Sequence, residues 1–277
     1  MSLFTFQKWK EEKAFLPFEK ETDKPDYTVI FQETGELPAL SDVVIHEDEC
    51  YRVHPDGKGG YLRSFFDAPR DHTPYAVAEY DHENGRIQID YLPKGTHCVS
   101  ELHNSFFHLG FESVLIHRDR LCLHAACVDT PLGGLLFSGP SGIGKSTQAG
   151  LWQAYRDAKL INGDRPILSK EGNGYLAWGS PYAGSSKCHI NEHCSVTAIV
   201  LLRQSQVCSL QRLTLPEAFR AVWPGLTVHS WDKAFVEKAF DLTMELIAAV
   251  PVFRFDCTPD AFAVEYLERE LRKEFCL

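Results

Sequence analysis

Gly139, Gly144, Lys145 and Ser146 stand at the spacing Gly-x4-Gly-Lys-Ser, inside the stretch Gly139-Pro-Ser-Gly-Ile-Gly-Lys-Ser-Thr147. These residue types at this spacing suit the binding of a polyphosphate. Glycines let the backbone curl until several N–H groups face one point, and the N-terminus of a following helix adds partial positive charge. Lys145 supplies a full charge for the outer phosphates, and the Ser146 hydroxyl can ligate Mg2+. Ser141, Gly142, Ile143 and Thr147 complete the candidate cradle. The pattern is short and arises by chance, so its surroundings matter. Leu135, Leu136 and Phe137 precede it as an apolar strand, and helix-forming sequence follows. Strand, turn and helix are the context in which the pattern binds phosphate.

Such a loop needs a metal-binding acid nearby. Asp164 ends the apolar pair Leu160-Ile161, eighteen residues after Ser146. A carboxylate at a strand end directly after the loop helix is placed to hold Mg2+, and that reading is preferred to an ordinary turn aspartate. His124 lies in a nearly continuous apolar run, residues 120–129. Taken alone it reads as a hydrogen-bonded core histidine. Cys188, His189, His193 and Cys194 include two histidines four apart, which would suit a metal on a helix. They follow Gly184, Ser185 and Ser186 and precede a strand, so a polar surface loop is the preferred reading. Arg203, at a strand end, could face phosphates or form a surface ion pair. Cys122 and Cys127, five apart on one strand, point to opposite faces and read as core.

The elements that must position these residues can be followed along the chain. The 277 residues, 44% of them hydrophobic, suffice for one large or two modest domains. Residues 1–26 read as an irregular, charged arm. Strand-like segments follow at 27–31, 43–53, 61–66, 75–80 and 86–91, the last two joined by an Asn84-Gly85 hairpin signal. No chemical motif stands out there, and His46, His54, His72 and His82 read as surface histidines. A helix is expected over 99–117, with Leu102, Phe106, Leu109 and Ser113 on one stripe. Beyond the loop helix come strands near 160–168, 175–178, 196–203, 209–213 and 252–255. Helices are expected at 216–223, at 232–249 and after Asp260, which suits a cap. The expected organisation is a β-rich N-terminal region, 1–94, and an α/β phosphate-loop domain, 95–277.

Four stretches taken together resemble the HPr kinase/phosphorylase-related family: Leu123-His-Ala-Ala-Cys-Val128, the loop from Gly139 to Thr147, Ile161-Asn-Gly-Asp-Arg-Pro-Ile-Leu168, and Trp178-Gly-Ser-Pro-Tyr-Ala-Gly184. That family shares its nucleotide-binding core with ATP-dependent phosphoenolpyruvate carboxykinase. The resemblance covers about residues 95–215 and is strongest to stand-alone bacterial carboxykinase-like kinases. It implies a phosphoenolpyruvate carboxykinase-like core, a mixed and strongly bent sheet around the loop. It also implies contact between His124 and the reacting phosphates, and a pair of adjacent aspartates near Asp164 that binds metal and acts as base. Here the pair is incomplete: Gly163 or Arg165 takes the place of the second aspartate.

The function expected on these grounds is an ATP-dependent, Mg2+-requiring kinase. Lys145, His124 and Asp164 are its catalytic residues, Ser146 and Asp164 its metal ligands, and the acceptor is a hydroxyl, most plausibly serine of a protein or peptide. A small-molecule kinase on the same core and a non-catalytic nucleotide sensor are the alternatives. A true carboxykinase fits poorly, since the chain is short and lacks an obvious basic cluster for two carboxylates. The formal net charge of −10 argues against nucleic acid as partner. No apolar run approaches the ~18–20 residues of a membrane span. Nine scattered cysteines, with no apolar signal core in residues 1–20, lead to an expectation of reduced thiols in the cytoplasm. The resemblance allows a homo-oligomer.

Overall fold

Residues 27–33 and 86–91 alternate inward and outward side chains, as half-buried strands do. Tyr27, Val29, Ile87 and Ile89 are buried, while Thr28 and Arg86 are exposed. In the computed structural model, which describes residues 4–6, 16–18, 23–68, 73–100, 108 and 110–277, these two strands pair in parallel. They belong to a seven-stranded sheet of β1 (Phe4–Phe6), β2 (Tyr27–Glu33), β3 (His46–Glu47), β4 (Tyr51–Pro55), β5 (Tyr61–Phe65), β6 (Ala76–Asp81) and β7 (Arg86–Tyr91). The order is β1-β2-β7-β6-β5-β4-β3. Helices Thr96–Ser100 and Phe111–His117 close its core, with Cys98, Val99 and Val114 buried among Tyr27, Phe65, Ile87 and Ile89.

The chain divides into two units, Met1–His117 and Arg118–Leu277. The boundary expected at 94/95 lies inside the first unit, because Val99 and Val114 bury against that unit's sheet. Three local expectations change there. The helix expected over 99–117 is, among the described residues, two helices, with Gly110 at φ +56 just before the second. Leu102, Phe106 and Leu109 of the expected stripe lie outside the described residues. The β6–β7 connection is a four-residue loop held by Asp81, whose carboxylate accepts from Asn84 N (3.0 Å) and Asn84 Nδ2 (2.8 Å). Gly85 takes positive φ there and Asn84 does not. Of the histidines expected on the surface, one is buried and another half-buried. His54 is buried between Ser41 O and Ser64 Oγ. His82 stacks on His117 at 3.9 Å, and burial, with His117 beside it, pushes its pKa down to about 3. His72 lies outside the described residues.

The second unit is a nine-stranded mixed sheet with helices. Its strands are β8 (Arg120–Cys122), β9 (Ala125–Thr130), β10 (Gly133–Ser138), β11 (Lys159–Asn162), β12 (Ile167–Glu171), β13 (Gly174–Trp178), β14 (His193–Gln204), β15 (Ser209–Arg212) and β16 (Val252–Cys257). The order is β11-β9-β10-β14-β13-β12-β8, with β16 beside β14 and β15 beside β16. The long strand β14 carries the curl. Its first residues pair antiparallel with β13, and its remainder lies parallel to β10 and to β16. This is a mixed α/β fold with curled mixed sheets.

The loop helix Lys145–Arg156 and the C-terminal helix Ala261–Phe275 pack on this sheet. Trp152 and Ala149 meet Phe137, Val200, Phe253 and Phe255, and Ala263, Val264, Leu267 and Leu271 complete the cluster. Asp260 caps its helix as expected, accepting from Ala263 N (3.3 Å), and Asp232, expected as the first helical residue, is also a cap, accepting from Phe235 N (3.0 Å). Helix Leu215–Val222 starts with a capping box of Thr214 and Glu217. The base of the glycine-rich loop is therefore bolted to the core through Trp152. Leu267→Ala, at a fully buried position, is expected to cost about 2–5 kcal/mol and Asp260→Ala about 1 kcal/mol. Urea denaturation measures both, and equal effects would contradict the packing described.

Candidate functional site

The apolar run through His124 is not one strand. β8 pairs with β12, β9 pairs with β10 and β11, and the chain bends at His124 between them. The backbone at the bend stays fully bonded, as buried backbone must. Leu123 N donates to Pro166 O (3.4 Å), Ala125 N to Asp164 O (3.0 Å) and His124 N to Gly225 O (2.8 Å). Ser138 Oγ, at the end of β10, donates to His124 O (2.9 Å). The bend takes the imidazole out of the alternation of the strand. Its side chain is 29% exposed, and Nε2 lies 3.2 Å from Asp164 Oδ1. His124 is therefore not the core histidine that the apolar run suggests.

Asp164 is set by a neighbour the sequence reading passed over. Asn162 is fully buried. Its Oδ1 accepts from Asp164 N (2.9 Å) and Arg165 N (2.7 Å). Its Nδ2 donates to Ser180 Oγ and Tyr182 O, both at 3.2 Å. Ser180, also fully buried, lies within hydrogen-bond distance of Arg165 O (3.1 Å) and Tyr182 O (2.9 Å). The Asn-Gly-Asp sequence is an Asx-turn signal that could have announced this arrangement. The partner loop, residues 179–184, could not have been found from sequence spacing.

The turn Gly184–Ser186 closes over the same acid. Gly184 has φ +54, and a Cβ there would come within 2.8 Å of Asp164 Cβ. A Cβ on Gly163 would overlap the Ser186 side chain. So one of the two positions open to a second aspartate has no space for any side chain. The other carries Arg165, whose Nη1 donates to Thr227 Oγ1 (2.8 Å).

The loop leaves β10 at Ser138 and enters the helix at Lys145, in the strand–turn–helix order expected. Gly144 precedes the helix with φ +114, a conformation that side chains rarely adopt. Gly139 and Gly142 also have positive φ. Ile143 packs on the core cluster, while Ser141, Gly142, Ser146 and Thr147 are exposed. Lys145 is buried, and its Nζ donates to Gly139 O (3.0 Å) and Pro140 O (3.2 Å). Gln204 Nε2 reaches Gly142 O and Ile143 O, both at 3.4 Å, a contact that sequence alone did not suggest.

Charges couple the loop to the acid. The hydrogen bond from His124 holds the Asp164 carboxyl below its ordinary pKa, burial opposes this, and the charges of His124, Arg165 and Lys145 add to the lowering. Burial pushes Lys145 down, Asp164 pushes it back up and Arg165 lowers it further. Lys145, Asp164, Arg165 and His124 thus form one electrostatic group. An ionised carboxylate and an exposed hydroxyl, Asp164 and Ser146, are hard oxygen donors of the kind that suits Mg2+.

Other candidates lie apart from this group. Arg203 forms a two-pronged pair with Asp256 (2.5 and 2.6 Å), to which Ser209 Oγ also donates (2.9 Å). Of its two readings, the ion pair is the one found. Cys188, His189, His193 and Cys194 do not converge. Cys188 Sγ turns to Leu160 O, His193 stacks near Trp178, and Cys194 faces Cys127 at 3.7 Å. Cys127 is fully buried, and Cys122 donates to Arg165 O.

No protein-family model matches the chain, and neither does any curated protein. Among solved structures, it is similar to the HPr(Ser) kinase/phosphatase from Coxiella burnetii, with 14% identity over 56% of this chain and 97% of that one and a TM-score of 0.35. That structural neighbour is a weak one. Among the described residues, no helix is long and apolar enough to cross a membrane.

Two outcomes follow from this geometry. Gly163→Ala is expected to destabilise by about 1–3 kcal/mol through overpacking, with Ser186→Gly restoring most of the loss in a double-mutant cycle. The depressed pKa of Asp164 stabilises the fold above the unfolded-state value of about 3.9. That contribution disappears as pH falls through the lower folded value. Denaturation midpoints of wild type and Asp164→Asn should therefore differ at neutral pH and converge below about pH 4. A constant difference down to acid pH would contradict the His124–Asp164 contact.

Proposed function

We propose that the second unit is an ATP-dependent kinase that moves the γ-phosphoryl group to a hydroxyl, most plausibly serine of a protein or peptide. The observation that carries this reading is the single electrostatic group of Lys145, Asp164 and His124 at the mouth of a glycine-rich strand–loop–helix turn. The resemblance of the four sequence stretches to HPr kinase-related proteins points the same way.

Each residue has a role that its surroundings support. The N–H groups of residues 139–147 and the start of the helix offer an anion cradle. Lys145 exchanges its two loop carbonyls for phosphate oxygens. Ser146 and Asp164 would hold Mg2+, which when bound neutralises charge on the phosphates. A depressed pKa suits Asp164 to metal binding more than to taking a proton, because a weaker base accepts a proton less readily. His124, in contact with the carboxylate on one side, orients it and is the second group within reach of the reacting centre. Arg165 adds positive charge at one of the two positions open to the second acid of the resembled family.

That substitution favours one other reading. With Gly163 blocked by Ser186 and Arg165 bonded to Thr227, the chain has one carboxylate where a base and a metal ligand are expected. A nucleotide-binding sensor with little or no turnover would have such a site. Phosphoryl transfer has a loose transition state in which positioning and charge neutralisation do most of the work, so loss of a base costs about 10²–10⁴-fold and not all activity.

Labelled ATP, Mg2+ and panels of peptide and small-molecule hydroxyl acceptors test the proposal. Wild type is expected to label a peptide, Asp164→Asn to lose at least ~100-fold in turnover, and Lys145→Ala to bind ATP at least ~10-fold more weakly. Labelling of a metabolite in place of a peptide moves the substrate class. Tight Mg2+-dependent ATP binding without turnover supports the sensor. Absence of ATP binding overturns both readings.

A further inference from the structure

The first unit contains a group of side chains that plays no part in the site above. Asp67 follows β5, and His97 and Cys98 lie on the helix Thr96–Ser100. The Cys98 thiol donates to Asp67 Oδ1 (3.6 Å) and meets His97 Nε2 (3.2 Å), while His97 Nε2 and Asp67 Oδ1 are 3.9 Å apart. One sulfur, one nitrogen and one oxygen donor therefore form a triangle with sides of 3.2, 3.6 and 3.9 Å. Around a tetrahedral zinc ion, with bonds of about 2.0–2.3 Å, neighbouring donors stand about 3.3–3.6 Å apart. The triangle needs adjustments of only a few tenths of an ångström, on side chains of which two are exposed. Among the described residues this is the one such convergence of three ligand types.

We infer that Asp67, His97 and Cys98 form a zinc-binding site at the edge of the first unit.

The fold holds the three together from below. Cys98 is 6% exposed and belongs to the sheet's core cluster, so the sulfur is anchored. The His97 and Asp67 side chains, 65% and 63% exposed, cover it from the rim. The close approach of the helix depends on Gly95. A Cβ there would lie 2.6 Å from the Tyr75 ring, so only glycine lets the helix start this near. Tyr75 is tied in turn to the strand end, its N donating to Phe65 O (2.8 Å), two residues before Asp67.

The donor set selects the metal. A thiolate and an imidazole are poor ligands for Mg2+ or Ca2+, whereas sulfur, nitrogen and carboxylate oxygen together suit Zn2+. Zinc takes Cys98 as the thiolate, so the Sγ–H proton is released as the Zn–S bond forms, with no redox change. The bound ion ties the end of β5 to the helix and stabilises the first unit in proportion to its occupancy.

The test uses the full chain, stripped of metal with a chelator and titrated with Zn2+ by calorimetry in two buffers of different protonation enthalpy. One zinc per chain is expected, with net proton release and a melting temperature that rises with zinc concentration. Asp67→Ala and His97→Ala should each weaken binding at least ~10-fold. Both sites are exposed, so neither variant threatens the core. Substituting Co2+ should give a sulfur-to-cobalt charge-transfer band that Cys98→Ser removes. Binding weaker than ~100 μM in wild type would overturn the inference. So would zinc binding left unchanged by Asp67→Ala and His97→Ala, or lost in Cys188→Ser or His193→Ala instead.

Discussion

The buried side-chain amide of Asn162 is the interaction on which the candidate site depends. It accepts from two backbone N–H groups and donates to two oxygens, which uses its full hydrogen-bonding capacity. A neutral network of this kind in a low-dielectric interior adds little net stability when complete. It becomes costly when one partner is missing, about 1–3 kcal/mol for each group left unpaired. The amide therefore specifies geometry more than it adds stability. It turns the chain sharply after β11, so that Asp164 faces His124 across the neighbouring strands. It also ties that turn to Ser180 and Tyr182, which come from a different part of the sheet.

The same turn explains why one of the two positions beside Asp164 carries no second acid. Gly184 and Ser186 press on Asp164 and Gly163 so closely that neither glycine can carry a side chain without moving the other segment. Close backbone approach limits which residues fit, and arginine takes the one neighbouring position left free. The result is one carboxylate facing an imidazole, an ammonium and a guanidinium. Such a carboxylate stays ionised, as its depressed pKa indicates. The lysine is kept in place by carbonyls of its own loop, so its charge is already at the loop before any anion arrives.

Much of this was legible in the sequence, though unevenly. The glycines, lysine and serine of the loop, and the strand and helix around them, follow from residues within about fifteen positions of one another. Their conformations are fixed by local rules of φ and capping. The cap at Asp260 was legible for the same reason. His54 and His82 were misread as surface residues, because burial depends on which strands come to lie beside them and not on their polar neighbours in sequence. The Asn84-Gly85 signal marked a turn correctly but not its type, since the carboxylate of Asp81 competes for the backbone.

The break in the strand at His124 marks the limit of the local reading. An apolar run of ten residues carries no sign of where it changes partners. Only when β8 pairs with β12 and β9 with β10 does the chain bend, and only the bend brings the imidazole to Asp164. By itself the sequence determined the strand–loop–helix element and the mixed α/β character, and it singled out Asp164 at a strand end, because these rest on short-range spacing and residue type. The tertiary structure alone decided which histidine meets that acid, that position 163 has no room for a second aspartate, and that Asp67 meets His97 and Cys98. Those facts rest on contacts between segments some twenty to forty residues apart, whose registers are set by packing.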